Sequence, residues 1–354
     1  YRLGLIYYKQ GLYSKAINSF TMATRKRPQF PKAYYAKGLS YIKVGDKKNA
    51  IANLQMSIQQ NPKLDRAYFN LGDLYRQSKN FSQALKYFSK DKNLRPNNPD
   101  TNFKIAETYH DMGSLRNADR LYNKTINLDP NYYQAYFNKG LIQFKQRNYP
   151  KAIDLFKKAS NINSKDAGAH YQMGKSYEAM KNDNKAIEAY KKALSINPNY
   201  SMALINLGQL YSRNKMYSQA IEQYKQATSR NPRSFIAHFN LANVYLSAKK
   251  YEQAIEEYKT AVNLQPLNSK AHFYLGISYR DKGNYADAIK SFERSVQINT
   301  RLYDADEELG LIYYRKMKNN SKALVYFKRL LSKKPNHPRA DKIQSIINLI
   351  KKSP

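Results

Sequence analysis

Cysteine is absent from this chain and histidine occurs five times. Thiolate nucleophiles, disulfides and zinc–thiolate sites are therefore excluded. Imidazole chemistry would have to come from His110, His170, His238, His272 or His337. Three of these, His170, His238 and His272, stand in register with Tyr34, Tyr68 and Tyr136, 34 residues apart or a multiple of it. A flat ring packing between helices explains that register better than metal ligation does. Asp304, Asp306, Glu307 and Glu308 form an acidic run. Its expected role is to complement the positive end of the helix it opens, although Asp306 then occupies a slot that aromatic residues fill elsewhere. No HExxH, Gly-rich phosphate loop or Ser/His/Asp grouping occurs. These residues predict no enzyme, no cofactor and no metal.

Behind them lies a period. Gly4, Gly38, Gly72, Ala106, Gly140, Gly174, Gly208, Ala242, Gly276 and Gly310 recur every 34 residues. Twelve residues after each comes an alanine, from Ala16 to Ala288 without a gap and then Ala323 after a one-residue insertion. Prolines follow in step at Pro28, Pro62, Pro96, Pro130, Pro198, Pro232, Pro266 and Pro335, with Ser164 and Thr300 as the breaks. Glycine inside a helix costs up to about 1 kcal/mol against alanine, so its recurrence implies a close approach that a larger side chain would block. Gly11, Gly45, Gly113 and Gly283 stand seven residues later, where a helix end takes a left-handed residue. The prolines sit between repeats. Each repeat reads as two antiparallel helices joined by a tight turn, the whole an array in which each repeat packs on its neighbours.

Two aromatic slots complete the pattern. Tyrosine stands three residues after the small residue at Tyr7, Tyr41, Tyr75, Tyr109, Tyr177, Tyr211, Tyr245, Tyr279 and Tyr313, with Gln143 the exception. A second-helix aromatic recurs at Phe20, Phe88, Tyr122, Phe156, Tyr190, Tyr224, Tyr258, Phe292 and Phe327, with Leu54 the exception. On these slots the chain resembles the tetratricopeptide repeat family, from position 1 to about 337. The resemblance implies an all-α, right-handed superhelical solenoid of about ten repeats. A partial repeat would cover 1–30, and full ones would start near 31, 65, 99, 133, 167, 201, 235, 269 and 303. Ile343, Ile346, Ile347 and Ile350 have helical spacing and predict a capping helix over 338–354. Tyr1 aligns with Phe69, inside a first helix, so the chain reads as a piece of a longer one. No run is apolar enough to span a membrane.

In that family the first helix of each repeat lines the concave, partner-binding face. The resemblance places Tyr35, Phe69, Phe103, Phe137, Tyr171, Ile205, Phe239 and Phe273 there, followed at the next position by Asn70, Asn138, Asn206 and Asn240. Family members with such asparagines hydrogen-bond the backbone of an extended peptide through them, since a carboxamide both donates and accepts. Ala36, Lys104, Gln172, Tyr274 and Glu308 interrupt the series. No repeat has the Lys that grips chaperone C-termini in other members, so a chaperone-tail clamp is not expected.

Charge is the remaining signal. The net charge is +35, and residues 1–64 carry 12 Lys/Arg against Asp46 alone, while residues 315–354 carry 12 against Asp341 alone. Arg25, Lys26, Arg27, Lys333 and Lys334 mark the two basic ends. A solvated, solubility-giving surface is the plain explanation. An acidic protein partner or an anionic surface is the alternative, and nucleic acid ranks last for want of any recognition motif. The expected function is a non-enzymatic scaffold holding partner proteins or peptides in a larger complex, such as an envelope-associated bacterial motility or secretion machine. The alternative is the substrate-recognition arm of an enzyme whose catalytic domain lies elsewhere.

Overall fold

A computed structural model describes residues 1–352. All its regular elements are helices; among the described residues there is no strand, and no helix is long and apolar enough to cross a membrane. The chain divides into two units, 1–180 and 181 onward.

The first unit holds α1 (Arg2–Lys9), α2 (Tyr13–Lys26), α3 (Pro31–Val44), α4 (Lys47–Gln60), α5 (Asp65–Gln77), α6 (Phe81–Leu94), α7 (Pro99–Asp111), α8 (Leu115–Leu128), α9 (Tyr133–Lys145), α10 (Tyr149–Ile162) and α11 (Ala167–Ala179). The second holds α12 (Asp183–Ile196), α13 (Ser201–Arg213), α14 (Tyr217–Arg230), α15 (Phe235–Ser247), α16 (Tyr251–Leu264), α17 (Ser269–Lys282), α18 (Tyr285–Ile298), α19 (Tyr303–Arg315), α20 (Asn320–Lys333) and α21 (Ala340–Lys352). Within each unit every helix packs on the next. First helices of neighbouring pairs also touch, α5 with α7, α9 with α11, α13 with α15 and α15 with α17. This is an α-solenoid of antiparallel helix pairs.

The period is a packing rule. The ten alanines from Ala16 to Ala323 are fully buried. What the glycine slot admits is a ring from the second helix of the same pair. A Cβ on Gly72 would lie 2.6 Å from the Phe88 ring, and one on Gly208 would lie 2.9 Å from the ring of Tyr224. The expected close approach is thus ring against backbone. The turn between paired helices needs a left-handed residue. Gly45 and Gly283 supply it with φ of 82° and 89°, but Lys79, Arg147, Lys181, Lys215, Lys249 and Lys318 adopt it as well. The glycine signal covered only part of a feature that every turn shares.

The last helix buries Ile343, Ile346, Ile347 and Ile350 in a cluster with Phe292, Leu309, Phe327 and Leu330. Its described span is Ala340–Lys352; Ser353 and Pro354, included in the expected capping segment, lie outside the described residues. The acidic run does more than complement a helix terminus. Asp306 is buried and bonded to Arg329 of α20. Glu307 binds Arg339, which leads into α21, and Glu308 binds Arg280 of α17, each at 2.6 Å. An aromatic slot now holds a buried carboxylate paired with a half-buried arginine, and the carboxylate keeps its place only because that partner is present.

Candidate functional site

In the first unit the first helices of neighbouring pairs line a cleft. Tyr35 and Leu39 of α3, Arg66, Phe69 and Asn70 of α5, and Arg95, Asn98 and Asp100 around the start of α7 line it. Three of the sequence-predicted residues, Tyr35, Phe69 and Asn70, therefore share one site. Asn70 Nδ2 donates to the Tyr35 hydroxyl at 3.3 Å and to the Arg66 carbonyl at 2.8 Å. Burial raises the Tyr35 pKa, so the hydroxyl keeps its proton. The Arg95 guanidinium lies over the Phe69 ring at 5.8 Å. It is held there by the fully buried Asp91 at 2.7 Å and by Asp65 at 3.3 Å, and the Thr101 hydroxyl donates to the same Asp91 carboxylate. A buried carboxylate without its arginine would be strongly destabilising. Asp91 thus fixes both the fold and the direction of one cleft cation.

Beside this cleft the face is charged. Arg76 of α5 contacts Asp73 and Glu107, each at 3.5 Å, and Asp111 at 2.8 Å. Lys104 contacts Asp73 at 3.4 Å and Glu107 at 2.9 Å. Lys104 breaks the asparagine series for this reason: it belongs to an ion network linking α5 to α7.

Two of the other predicted asparagines are held by tyrosine hydroxyls of the preceding second helix. Asn138 Nδ2 donates to the Tyr122 hydroxyl at 3.3 Å, and Asn206 Nδ2 donates to the Tyr190 hydroxyl at 3.2 Å. In both cases the tyrosine sits 16 residues earlier, in the second-helix aromatic slot. The signal was partly legible: that slot holds Tyr rather than Phe at 122, 190, 224 and 258, and asparagine follows 16 residues after the first three, Tyr274 after the fourth. Each bond uses one N–H of the amide, whose other N–H and carbonyl oxygen remain for further bonding. Asn240 is half-buried in the same position of α15.

The aromatic slot of the face divides. Phe69, Phe137, Phe239 and Phe273 are half-buried, and Phe137 and Phe273 lean on Phe156 and Phe292 with centroids 5.5 Å apart. Phe103 and Tyr171 do not join them. They are only 5% and 6% exposed, and Phe103 is wedged between Tyr122 and Tyr132. As partner contacts these two are corrected to core residues.

The basic ends lie at helix C-termini, where cations complement the macrodipole. Arg25, Lys26 and Arg27 are exposed, with Arg27 over the Phe30 ring at 5.1 Å. Lys333 donates to the Thr300 carbonyl at 3.3 Å, and Lys334 lies over Tyr303 at 5.6 Å. The histidines are structural in their contacts. His238 is bonded to Glu257 at 2.6 Å and to the Pro232 carbonyl at 3.1 Å, and His272 to the Pro266 carbonyl at 3.1 Å. Among the described residues no three His, Cys, Asp or Glu side chains converge as a metal site would require.

Helix pairs on a 34-residue period and a glycine under an aromatic ring meet their match in known sequences. Models described as tetratricopeptide repeat or TPR repeat match residues 4–45, 31–64, 65–98, 166–233, 205–268, 245–302 and 304–337. The chain belongs to the tetratricopeptide repeat family. Residues 111–193 also match a model described as anaphase-promoting complex, cyclosome, subunit 3. Solved tetratricopeptide structures similar to the chain include MamA, 28% identical, covering 46% of this chain and 95% of that one with a TM-score of 0.45. YrrB, described as a TPR protein with an unusual peptide-binding site, is 22% identical over 52% of this chain and 95% of its own, at 0.45. PilF of Pseudomonas aeruginosa is 20% identical over 60% and 96%, at 0.49. No curated protein matched the chain significantly.

Proposed function

We propose that this tetratricopeptide array is a non-catalytic scaffold that holds partner proteins or extended peptide segments on its first-helix face, within a larger assembly. The observation that carries the reading is the pairing of half-buried rings with fixed amides, Phe69 beside Asn70 and Phe137 beside Asn138, with Phe239 and Asn240 repeating the two residue types in α15. Such a pair offers an apolar anchor next to a group that bonds any peptide backbone without reading its sequence. The contacts of His238 and His272 with proline carbonyls favour a packing role over a catalytic one.

The test begins with a pull-down from the source organism, identified by mass spectrometry, and continues with the affinity of that partner. Phe137→Ala with Asn138→Ala should remove most of the binding, since aromatic anchors commonly carry about 2 kcal/mol or more. Arg25→Glu, Lys26→Glu and Arg27→Glu together should change it little. Normal binding by the groove double variant, with affinity falling steeply as salt rises, would transfer the site to the basic ends.

A further inference from the structure

One stretch of the face differs from the rest in a way that names its ligand. In a chain that is 25% charged, α13 and α15 carry between them one arginine and one histidine, Arg213 and His238. Neither offers charge to a ligand. Arg213 binds Asp183 at 2.5 Å, and the His238 ring nitrogens are taken by Glu257 and the Pro232 carbonyl.

The first-unit cleft can be carried forward five repeats, 170 residues, onto this stretch. Arg66 becomes Ile236, Phe69 becomes Phe239, Asn70 becomes Asn240, Arg95 becomes Gln265, Asn98 becomes Asn268 and Asp100 becomes Lys270. Carried forward four repeats, 136 residues, the ion network Asp73, Arg76, Lys104, Glu107 and Asp111 becomes Gln209, Ser212, Asn240, Asn243 and Ser247. Every member has lost its charge. Apolar groups stand open in its place: Met202 is 51% exposed, Ile236 56% and Tyr274 36%. Phe239 stacks on Phe235 at 5.4 Å and meets Tyr274 edge-on at 5.9 Å. Amides border the strip, with Asn206 bonded to Tyr190 and Asn243 accepting from Tyr258.

We infer that the α13–α15–α17 strip binds an uncharged, extended peptide segment bearing aliphatic or aromatic side chains. The inference rests on the peptide-binding reading above and specifies its ligand here. Met202, Ile236, Phe239 and Tyr274 take the side chains, and Asn206, Asn240 and Asn243 bond the backbone. A carboxylate or ammonium placed among Met202, Ile236, Phe239 and Tyr274 would lose water without a counter-ion among those side chains, and Lys270 at the start of α17 is the one charge left at the carried-forward cleft positions, so charge is selected against. Ionic attraction contributes little, and affinity changes little with salt.

The test is selection of a phage-displayed random dodecapeptide library on the intact chain, alongside the Ile236→Lys and Met202→Lys variants. Both positions are more than half exposed, so the variants keep the fold, as circular dichroism will verify. The wild-type chain should enrich segments free of Asp, Glu, Lys and Arg. The best of these, made as an acetylated and amidated fluorescent peptide, should lose about tenfold or more in affinity to each variant and change little from low to high salt. Selection of acidic peptides, no selection at all, or equal binding by the variants would overturn the inference. Loss of the natural partner on mutating Phe137 and Asn138, together with any of those results, would sink the uncharged ligand and leave the groove reading standing. A natural partner indifferent to mutations in both stretches would sink the groove reading itself.

Discussion

The α5–α7 stretch and the α13–α15 stretch are built on the same slots and differ in what fills them. In the first, Arg76 and Lys104 are threaded among Asp73, Glu107 and Asp111, and the neighbouring cleft is walled by Arg66, Arg95 and Asp100. In the second, the same positions hold amides, serines and exposed apolar side chains. The buried slots barely change: Ala84 and Ala220, Phe88 and Tyr224, and Gly72 and Gly208 perform the same packing. The repeat therefore separates two kinds of position. Those facing the interior are fixed by volume, whereas those on the first-helix face can be filled by an ion network in one stretch and by uncharged groups in another.

The sharpest way to break this comparison is to attack a slot that both stretches share. Ala220→Arg should overpack the interface and bury an unpaired charge, costing more than the about 1–3 kcal/mol of simple overpacking. Ala84→Arg should cost as much in its own unit. Hydrogen exchange should show the loss concentrated around residues 201–234 for the former. Uniform destabilisation would refute packing that is local to neighbouring repeats.

The charged network offers the next test. Arg76→Leu leaves the half-buried Asp73 and Glu107 clustered with the exposed Asp111, and should cost about 1–2 kcal/mol by urea unfolding. Replacing all five network residues with their second-unit counterparts (D73Q, R76S, K104N, E107N and D111S) should recover most of that loss. It should also flatten the salt dependence of the first unit's melting. If the five-fold variant is less stable than Arg76→Leu alone, the network is more than an alternative filling.

A smaller effect belongs to the turns. Lys249 adopts φ of 59°, where a side chain is strained and glycine is not. Lys249→Gly should stabilise by about 0.5 kcal/mol after the greater freedom of the unfolded chain is subtracted. Gly283→Lys should destabilise to a similar degree, and calorimetry on both variants checks the pair.

The smallest is a pH effect. Burial holds the His272 pKa below its ordinary 6.5, despite the Pro266 carbonyl, and burial does the same to His110. The unfolded chain then binds more protons than the folded one near that pH. Their contribution to stability is complete above 6.5 and declines as pH falls below it. His272→Tyr, which restores the residue of Tyr68 and Tyr136, should narrow the difference in melting temperature between pH 7.5 and pH 5. An unchanged difference would show that His272 titrates alike in both states.

The helix pairs, their order and their core were legible because small residues, rings and prolines recur at fixed intervals. Packing between neighbours repeats whatever the residues between them do. The site was legible only in outline. Phe69, Asn70 and Tyr35 were placed together, yet Phe103 and Tyr171 occupy the same slot and turn inward, since local packing rather than register decides how far a ring projects. The Asp91–Arg95 grip and the Asp306–Arg329 pair were hidden for another reason. Each replaces a small or aromatic residue by a charge in a single repeat, and a period reports only what recurs.

The tyrosine hydroxyls behind Asn138 and Asn206 have a consequence for how tightly this face can hold anything. A surface amide ordinarily loses rotamer freedom when a ligand immobilises it, a cost of about 0.5–1.5 kcal/mol for each side chain. An amide already fixed from beneath has met that cost during folding. Tyr122→Phe or Tyr190→Phe would delete one oxygen, leave the exposed surface chemically unaltered and slacken the amide above it. Affinity in this array can thus be tuned from the inside, by choosing Tyr or Phe at a position that no ligand ever touches.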